Sequence, residues 1–158
     1  TLIRAFARAH IPEDYRLLLI GEGPRKVELE HLVRELGMEQ RVTFERPLSR
    51  DTVFRRIRDS RAFVLPSWTD ISPNQVAEAL ALGLPGLVTR ENYLSISDRL
   101  PETLDPHSVE DVAAKLEKLA DEGYYREYVK KWQAISFSHD WNAVYREHRA
   151  LFDKIVRI

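Results

Sequence analysis

The sequence predicts an α/β domain of the doubly wound, Rossmann-like kind, with helices on both faces of a parallel sheet. Three observations carry this expectation. Short apolar runs of strand length alternate with longer segments whose apolar residues recur at helical spacing. The resulting β-α-β-α-β-α-β order requires parallel strands joined by crossovers, which are right-handed almost without exception. The chain has 158 residues, 44% of them hydrophobic and 31% charged, which suits one ordinary globular domain.

The elements follow in order. Leu2, Ile3, Phe6 and Ala9 mark the apolar face of an opening helix. No strand precedes it, so the fold is expected to lack its first strand and to be a piece of a longer, two-domain protein; the alternative is a fold that simply begins with a helix. Tyr15 to Ile20 (YRLLLI) reads as a strand buried on both faces. After the turn Gly21-Glu22-Gly23, a helix is predicted from Pro24 to Leu36, with Pro24 at its first position and Gly37 as its left-handed stop. Arg41 to Phe44 is a second strand. Ser49 caps a helix over Arg50 to Asp59, and Ala62 to Leu65 is a third strand. Ser72 opens the next helix, Gly83 closes it, and Gly86 to Thr89 is a fourth strand. Ser108 caps a helix that runs to Ala120. Residues 124–158 read as C-terminal helices, broken near Ser136 to His139.

Composition excludes several functions. A net charge of −1 argues against a general nucleic-acid binder, which needs an excess of Lys and Arg on one face. With no cysteine, disulfides, thiolate catalysis and cysteine-ligated metals are out. No apolar run approaches the roughly 20 residues of a membrane-spanning helix. The start, TLIRAFARAH, has no signal-peptide layout. The chain reads as a soluble, cytoplasmic domain.

The stretch PSWTDISPNQVAEALALG, residues 66–83, holds the candidate site. It joins the carboxyl end of a strand to a helix, the position where open α/β sheets bind ligands. Ser72-Pro73-Asn74-Gln75 is laid out as a capping box, so the helix N-terminus points its free N–H groups toward the cleft. Glu78 is the only charged residue from Ile71 to Thr89. Val76, Ala77, Leu80 and Ala81 form one apolar face, and Ala79 and Leu82 leave the remainder mostly apolar too. A carboxylate there is costly unless it is hydrogen-bonded or opens onto a polar cleft. Asp70, two residues before the cap, can line the same cleft. By residue type alone, a solvated stripe of Glu78 with Asn74 and Gln75 is an equal alternative.

At these residues the chain resembles the C-terminal, donor-binding domain of GT-B glycosyltransferases of the family 4, or group 1, type. IRAFARA, LLLIGEGP, LGMEQRVTFERPLS, AFVLPSWTDISPNQVAEALALGLPGLVT and SFSHDWNAVYREHRALF match in order over nearly the whole chain. The resemblance implies a retaining transferase that moves a hexose from a nucleotide-diphosphate sugar to an acceptor hydroxyl. It implies that Glu78 hydrogen-bonds the donor ribose and that Asp70, the catalytic candidate, faces the donor sugar. Ser72, Pro73 and Asn74 would approach the sugar and diphosphate. Gly21, Glu22 and Gly23 would border the same cleft, and the segment Phe44-Glu45-Arg46-Pro47-Leu48 the base. No metal and no cofactor is implied; the nucleotide sugar is a substrate. The implied partner is an N-terminal acceptor-binding domain, so any membrane contact would be peripheral and the chain alone is expected to be inactive. The chain departs from the family pattern at Asp70 (normally Glu), at Ile71-Ser72-Pro73 (normally Phe-Gly) and at Arg46 (normally Gly). The alternative reading is a non-catalytic α/β module binding a nucleotide or a protein.

Other candidates carry less. None of the five histidines pairs at metal-ligand spacing, and Asp105-Pro106-His107 reads as a turn. Ser67 lacks the G-x-S-x-G elbow, and GEGP lacks the third glycine of a dinucleotide fingerprint. A receiver domain would need an acidic cluster near its first strand and an Asp at the end of a middle strand, and the strand ends here read Gly21, Glu45 and Pro66. Trp68 is read equally as a stacking residue or a packing one, and Trp132 and Trp141 as core or interface anchors. Arg55, Arg56, Arg58 and Arg61 read as a solvated basic helix face.

Overall fold

The computed structural model describes residues 1–68, 74–91, 97–135 and 141–156. Helices α1 (Leu2–Arg8), α2 (Lys26–Glu35), α3 (Arg50–Arg58) and α4 (Asn74–Ala81) alternate with strands β1 (Leu17–Ile20), β2 (Val42–Glu45), β3 (Phe63–Leu65) and β4 (Gly86–Thr89). A 3₁₀ turn at Ser97–Arg99, strand β5 (Thr103–Leu104) and helices α5 (Val109–Ala120), α6 (Glu122–Gln133) and α7 (Trp141–Val156) complete the described chain.

All strand pairs are parallel, as the element order requires. β1 pairs with β2, with Leu17 opposite Val42 and Ile20 opposite Glu45. β4 lies between β3 and β5, with Phe63 opposite Gly86 and Val88 opposite Thr103. These are two separate sheets, β1-β2 and β3-β4-β5. The split explains a departure from expectation. The run that forms β1 is only half-buried, and Ile20 is exposed, because one edge of β1 has no strand partner among the described residues. β3 is half-buried for the same reason, whereas the central β4 is buried throughout.

Helix α1 joins the two halves. Its Ala5 and Ala9 sit in the larger core with Val76, Leu87, Val112 and Trp132. Its Ile3 and Phe6 sit in a second core with Val33, Met38 and Val42. The 3.6-residue period places these two pairs on neighbouring stripes of one short helix. Arg41 reinforces the second core: its guanidinium lies over Phe6 and donates to the Pro12 and Tyr15 carbonyls.

The ends of α2 and α4 are specified by the same local chemistry. Gly37 (φ +64°) and Gly83 (φ +72°) take the left-handed conformation that a residue with a Cβ resists. The Gly37 N–H donates to the Arg34 carbonyl and the Met38 N–H to the Val33 carbonyl. The Gly83 N–H donates to Leu80 and the Leu84 N–H to Ala79. Both are Schellman closures, which satisfy carbonyls the helix leaves without partners. At the start of α5, the Ser108 hydroxyl accepts the Asp111 N–H at 3.0 Å, as the capping pattern predicts.

Four sequence expectations need correction. The Ser49 hydroxyl makes no capping bond to an α3 N–H and instead pairs with the Thr52 hydroxyl at 2.9 Å. Helix α2 starts at Lys26 and not at Pro24, because Gly23 to Lys26 closes a turn first, with the Lys26 N–H on the Gly23 carbonyl. On α4 the buried residues are Val76 and Ala79, and Ala81 is exposed, so the core-facing stripe is narrower than the composition suggests. Arg61 lies beyond α3 and is not a solvated charge. Its guanidinium is 3.8 Å from the Tyr125 ring centroid, donates to the Leu119 carbonyl and pairs with Glu122 at 2.8 Å. Strand β5, two residues long, and the 3₁₀ turn have no signal in the apolar pattern.

Candidate functional site

The described site residues predicted from the sequence lie at or just after the carboxyl ends of β1 and β2 or on α4. Gly21 follows β1 directly and has φ +144°, a backbone conformation that strains any residue with a Cβ. Its N–H donates to the Glu45 carbonyl at 3.0 Å, which ties the glycine turn to the end of β2. A Cβ built at Gly21 or Gly23 meets nothing within 4 Å, so the space over the turn is open. Glu22 and Gly23 are exposed.

Phe44 and Leu48 are half-buried, and Phe44 packs against the second core. That fixes the path of the segment between β2 and α3. The Glu45 carboxylate is engaged: Arg56 donates to it through Nε at 3.2 Å and a terminal nitrogen at 2.6 Å. Such a two-point contact is directional and holds the carboxylate against α3. Arg56 is therefore a positioning residue for the end of β2, not a member of a free basic face.

Glu78 lies in the second turn of α4, its side chain 29% exposed. It is neither buried nor part of a fully solvated stripe: Asn74 and Gln75 before it are exposed, and Ala77 and Ala79 on either side are half-buried and buried. Its cationic partner among the described residues is Arg50, the first residue of α3, with a guanidinium nitrogen 3.8 Å from the Glu78 carboxylate. The same guanidinium lies over the Phe54 ring, 5.0 Å from its centroid. The fold thus sets a carboxylate from α4 and a cation from α3 beside each other. Sequence reasoning missed Arg50; its position two residues after Leu48 was the available signal.

Asp70, Ser72 and Pro73 lie outside the described residues; Asn74 is the first residue of α4 and is exposed. Trp68, at the end of the β3 segment, is exposed and rests on the His107 ring, with centroids 4.5 Å apart. The two rings border a cleft of about 400 Å³ above the carboxyl ends of β4 and β5, with Thr89, Glu91 and Asp105 in its wall. The Asp105 carboxylate accepts the His107 N–H at 2.9 Å, which makes that segment the turn its sequence suggests. Among the described residues no group of three His, Asp or Glu side chains is placed to hold a metal ion.

The comparisons with known proteins bear on the family and the fold. The family model described as "Glycosyl transferases group 1" matches residues 1–122. The chain belongs to that family. It is 31% identical to the sulfoquinovosyl transferase SQD2 of Arabidopsis thaliana over 142 residues, 84% of this chain and 26% of that protein. It is 28% identical to the D-inositol 3-phosphate glycosyltransferase of an Arthrobacter species over 124 residues, 75% of this chain and 30% of that protein. The chain therefore spans between a quarter and a third of the length of these two relatives. Among solved structures, the lipopolysaccharide outer core galactosyltransferase WaaB superposes with a TM-score of 0.75 at 21% identity, over 97% of this chain and 44% of that one. Anabaena HepE, solved in complex with UDP and glucose, superposes with a TM-score of 0.69 at 17% identity, over 84% of this chain and 38% of that one. At these identities the structural likeness establishes the fold alone, an α/β arrangement matching the Rossmann-like domains of GT-B glycosyltransferases. No helix among the described residues is long and apolar enough to cross a membrane.

Proposed function

We propose that this chain is the donor-binding domain of a retaining glycosyltransferase, which moves a hexose from a nucleotide-diphosphate sugar to an acceptor hydroxyl. The observation that carries the reading is Glu78. A half-sheltered carboxylate on an otherwise apolar helix, at the carboxyl end of a parallel sheet, suits two vicinal hydroxyls of a ribose. Family membership supports it, as does the UDP and glucose bound by the HepE relative. In this reading the open turn at Gly21, Glu22 and Gly23 and the amide end of α4 approach the sugar and diphosphate. Asp70 faces the donor sugar. The segment from Phe44 to Leu48 borders the base, with Glu45 contributing backbone because Arg56 holds its carboxylate.

Catalysis is then positional and electrostatic. Charge develops on the leaving diphosphate, and donors aimed at it lower the barrier. A phosphate oxygen of the leaving group accepts the proton of the acceptor hydroxyl, so no side-chain base and no metal is required. The acceptor is held by another domain, the protein works in the cytoplasm, and this chain alone binds donor without turning it over.

Saturation-transfer NMR on the chain with UDP-, GDP- and ADP-sugars tests the reading. Ribose signals should appear with one nucleotide and vanish in Glu78→Ala. Silence from every nucleotide, both with this chain and with a protein extended N-terminally, would sink it.

A further inference from the structure

The exposed Arg50–Glu78 pair is hard to explain as a stabilising contact. The Arg50 side chain is 76% exposed, and ion pairs that exposed add little to stability. Its geometry is more specific than its energy. The guanidinium lies over the Phe54 ring on one side and reaches toward Glu78 with its edge. Arg50 also follows directly on the chain that leaves the carboxyl end of β2 through Leu48 and Ser49. It therefore stands between the carboxylate assigned to the ribose and the segment assigned to the base.

A guanidinium is planar and weakly hydrated, and its outer face is a platform on which unstacked bases lie. A ribose whose hydroxyls rest on Glu78 carries its base a few bond lengths away, which is the separation between Glu78 and Arg50. We infer that Arg50 is the stacking platform for the nucleobase of a nucleoside diphosphate, with Phe54 backing the inner face of the guanidinium and the base on the outer one. The inference rests on the reading that Glu78 takes the ribose. It adds a residue and a mode of recognition. Stacking is tolerant of base identity because every base has a π face, so Arg50 supplies affinity and the choice among bases is made elsewhere.

The test is calorimetric titration of the protein with UDP, GDP and ADP, for wild type, Glu78→Gln, Arg50→Ala, Arg50→Lys and Arg50→Tyr. Thermal melts confirm that each variant is folded. Arg50→Ala and Arg50→Lys should weaken every nucleotide that binds by about tenfold or more, the scale of one lost stacking partner. Arg50→Tyr, which keeps a flat face and loses the charge, should stay close to wild type. Wild-type affinity in Arg50→Lys would make the charge the determinant and overturn the inference, as would wild-type affinity in Arg50→Ala. If Glu78→Gln weakens binding and Arg50→Ala does not, this inference alone fails. If Glu78→Gln binds like wild type, or neither this chain nor a protein extended N-terminally binds any nucleotide, the donor-site reading fails and takes this one with it.

Discussion

Gly86 opens β4 against the largest buried side chain of the fold, and replacing it with alanine is a measurable perturbation. A Cβ built there lies 2.8 Å from Cη2 and 3.1 Å from Cζ2 of Trp132. Real Cβ atoms essentially never sit that close, so something must shift. Trp132 is 1% exposed and packed on all sides, and its ring cannot swing away as an exposed side chain could. The Gly86 carbonyl is itself fixed, because it accepts the Tyr128 hydroxyl at 2.8 Å. Overpacking a full core costs about 1–3 kcal/mol. Alanine returns about 0.5–1 kcal/mol by restricting the unfolded chain, since nothing in the Gly86 backbone forbids a Cβ. The net loss is centred on about 1.3 kcal/mol and reaches about 2.5 kcal/mol where the core cannot give. At about 2–4 °C per kcal/mol for a chain this long, the melting temperature should fall by roughly 5 °C. Scanning calorimetry or circular dichroism reads it directly. The double variant Gly86→Ala with Trp132→Phe supplies the control. With the smaller ring, the added methyl has room, so the two changes should couple by more than about 0.5 kcal/mol. An unchanged melting temperature in Gly86→Ala, or strict additivity in the double variant, would refute the packing argument.

Two further predictions rest on charged groups. Burial pushes the Asp111 carboxyl up, but the Asp105 N–H and the Lys115 ammonium more than offset that and hold it below its ordinary value of 3.8. A carboxyl depressed by folding stabilises the fold above its unfolded pKa and loses that contribution as pH falls through the lower folded value. Asp111→Asn should therefore cost about 2 kcal/mol at pH 7, with Lys115 left half-buried and unpaired, and the gap to wild type should narrow in urea titrations carried below pH 3.8. Arg61→Lys should cost about 1–2 kcal/mol in the same assay, because a lysine keeps the Glu122 charge pair but loses the flat contact with Tyr125 and the bond to the Leu119 carbonyl; wild-type stability would show that the charge alone matters.

Much of this fold was legible because its signals are local. Gly37, Gly83 and Ser108 act within a turn of their own helix, and each does in the structure what its position predicts. The apolar runs of β1 to β4 fixed strand identity in the same way. What the runs could not convey was burial. YRLLLI looks like the interior of a sheet, and β1 is half-exposed because burial depends on what lies at its other edge. Strand β5 is too short for any period to register. At the site, Glu78 stood out through contrast with its apolar neighbours, a property of one segment. Its neighbour Arg50 did not, because the approach of α3 to α4 is a property of the assembled fold. The same holds for Arg56 and Arg61, which read as surface charge in a helical pattern and are bound to β2 and to α5 and α6.

The division of the strands into β1-β2 and β3-β4-β5 bears on cooperativity. Hydrogen-bonded ladders transmit unfolding, since fraying one strand strands the donors of the next. Among the described residues no ladder runs between the two halves; side chains of α1, with Ile11 and Leu116, join their cores, and the Arg50–Glu78 pair bridges α3 and α4. Packing of that kind couples two units without fusing them, and regions of unequal protection then open as separate foldons. Amide exchange in β1 and β2 should report one opening free energy and β4 a higher one. The glycine turn and Glu78 fall on opposite sides of that seam, so a ligand touching both would bind the halves together and raise the protection of the weaker one.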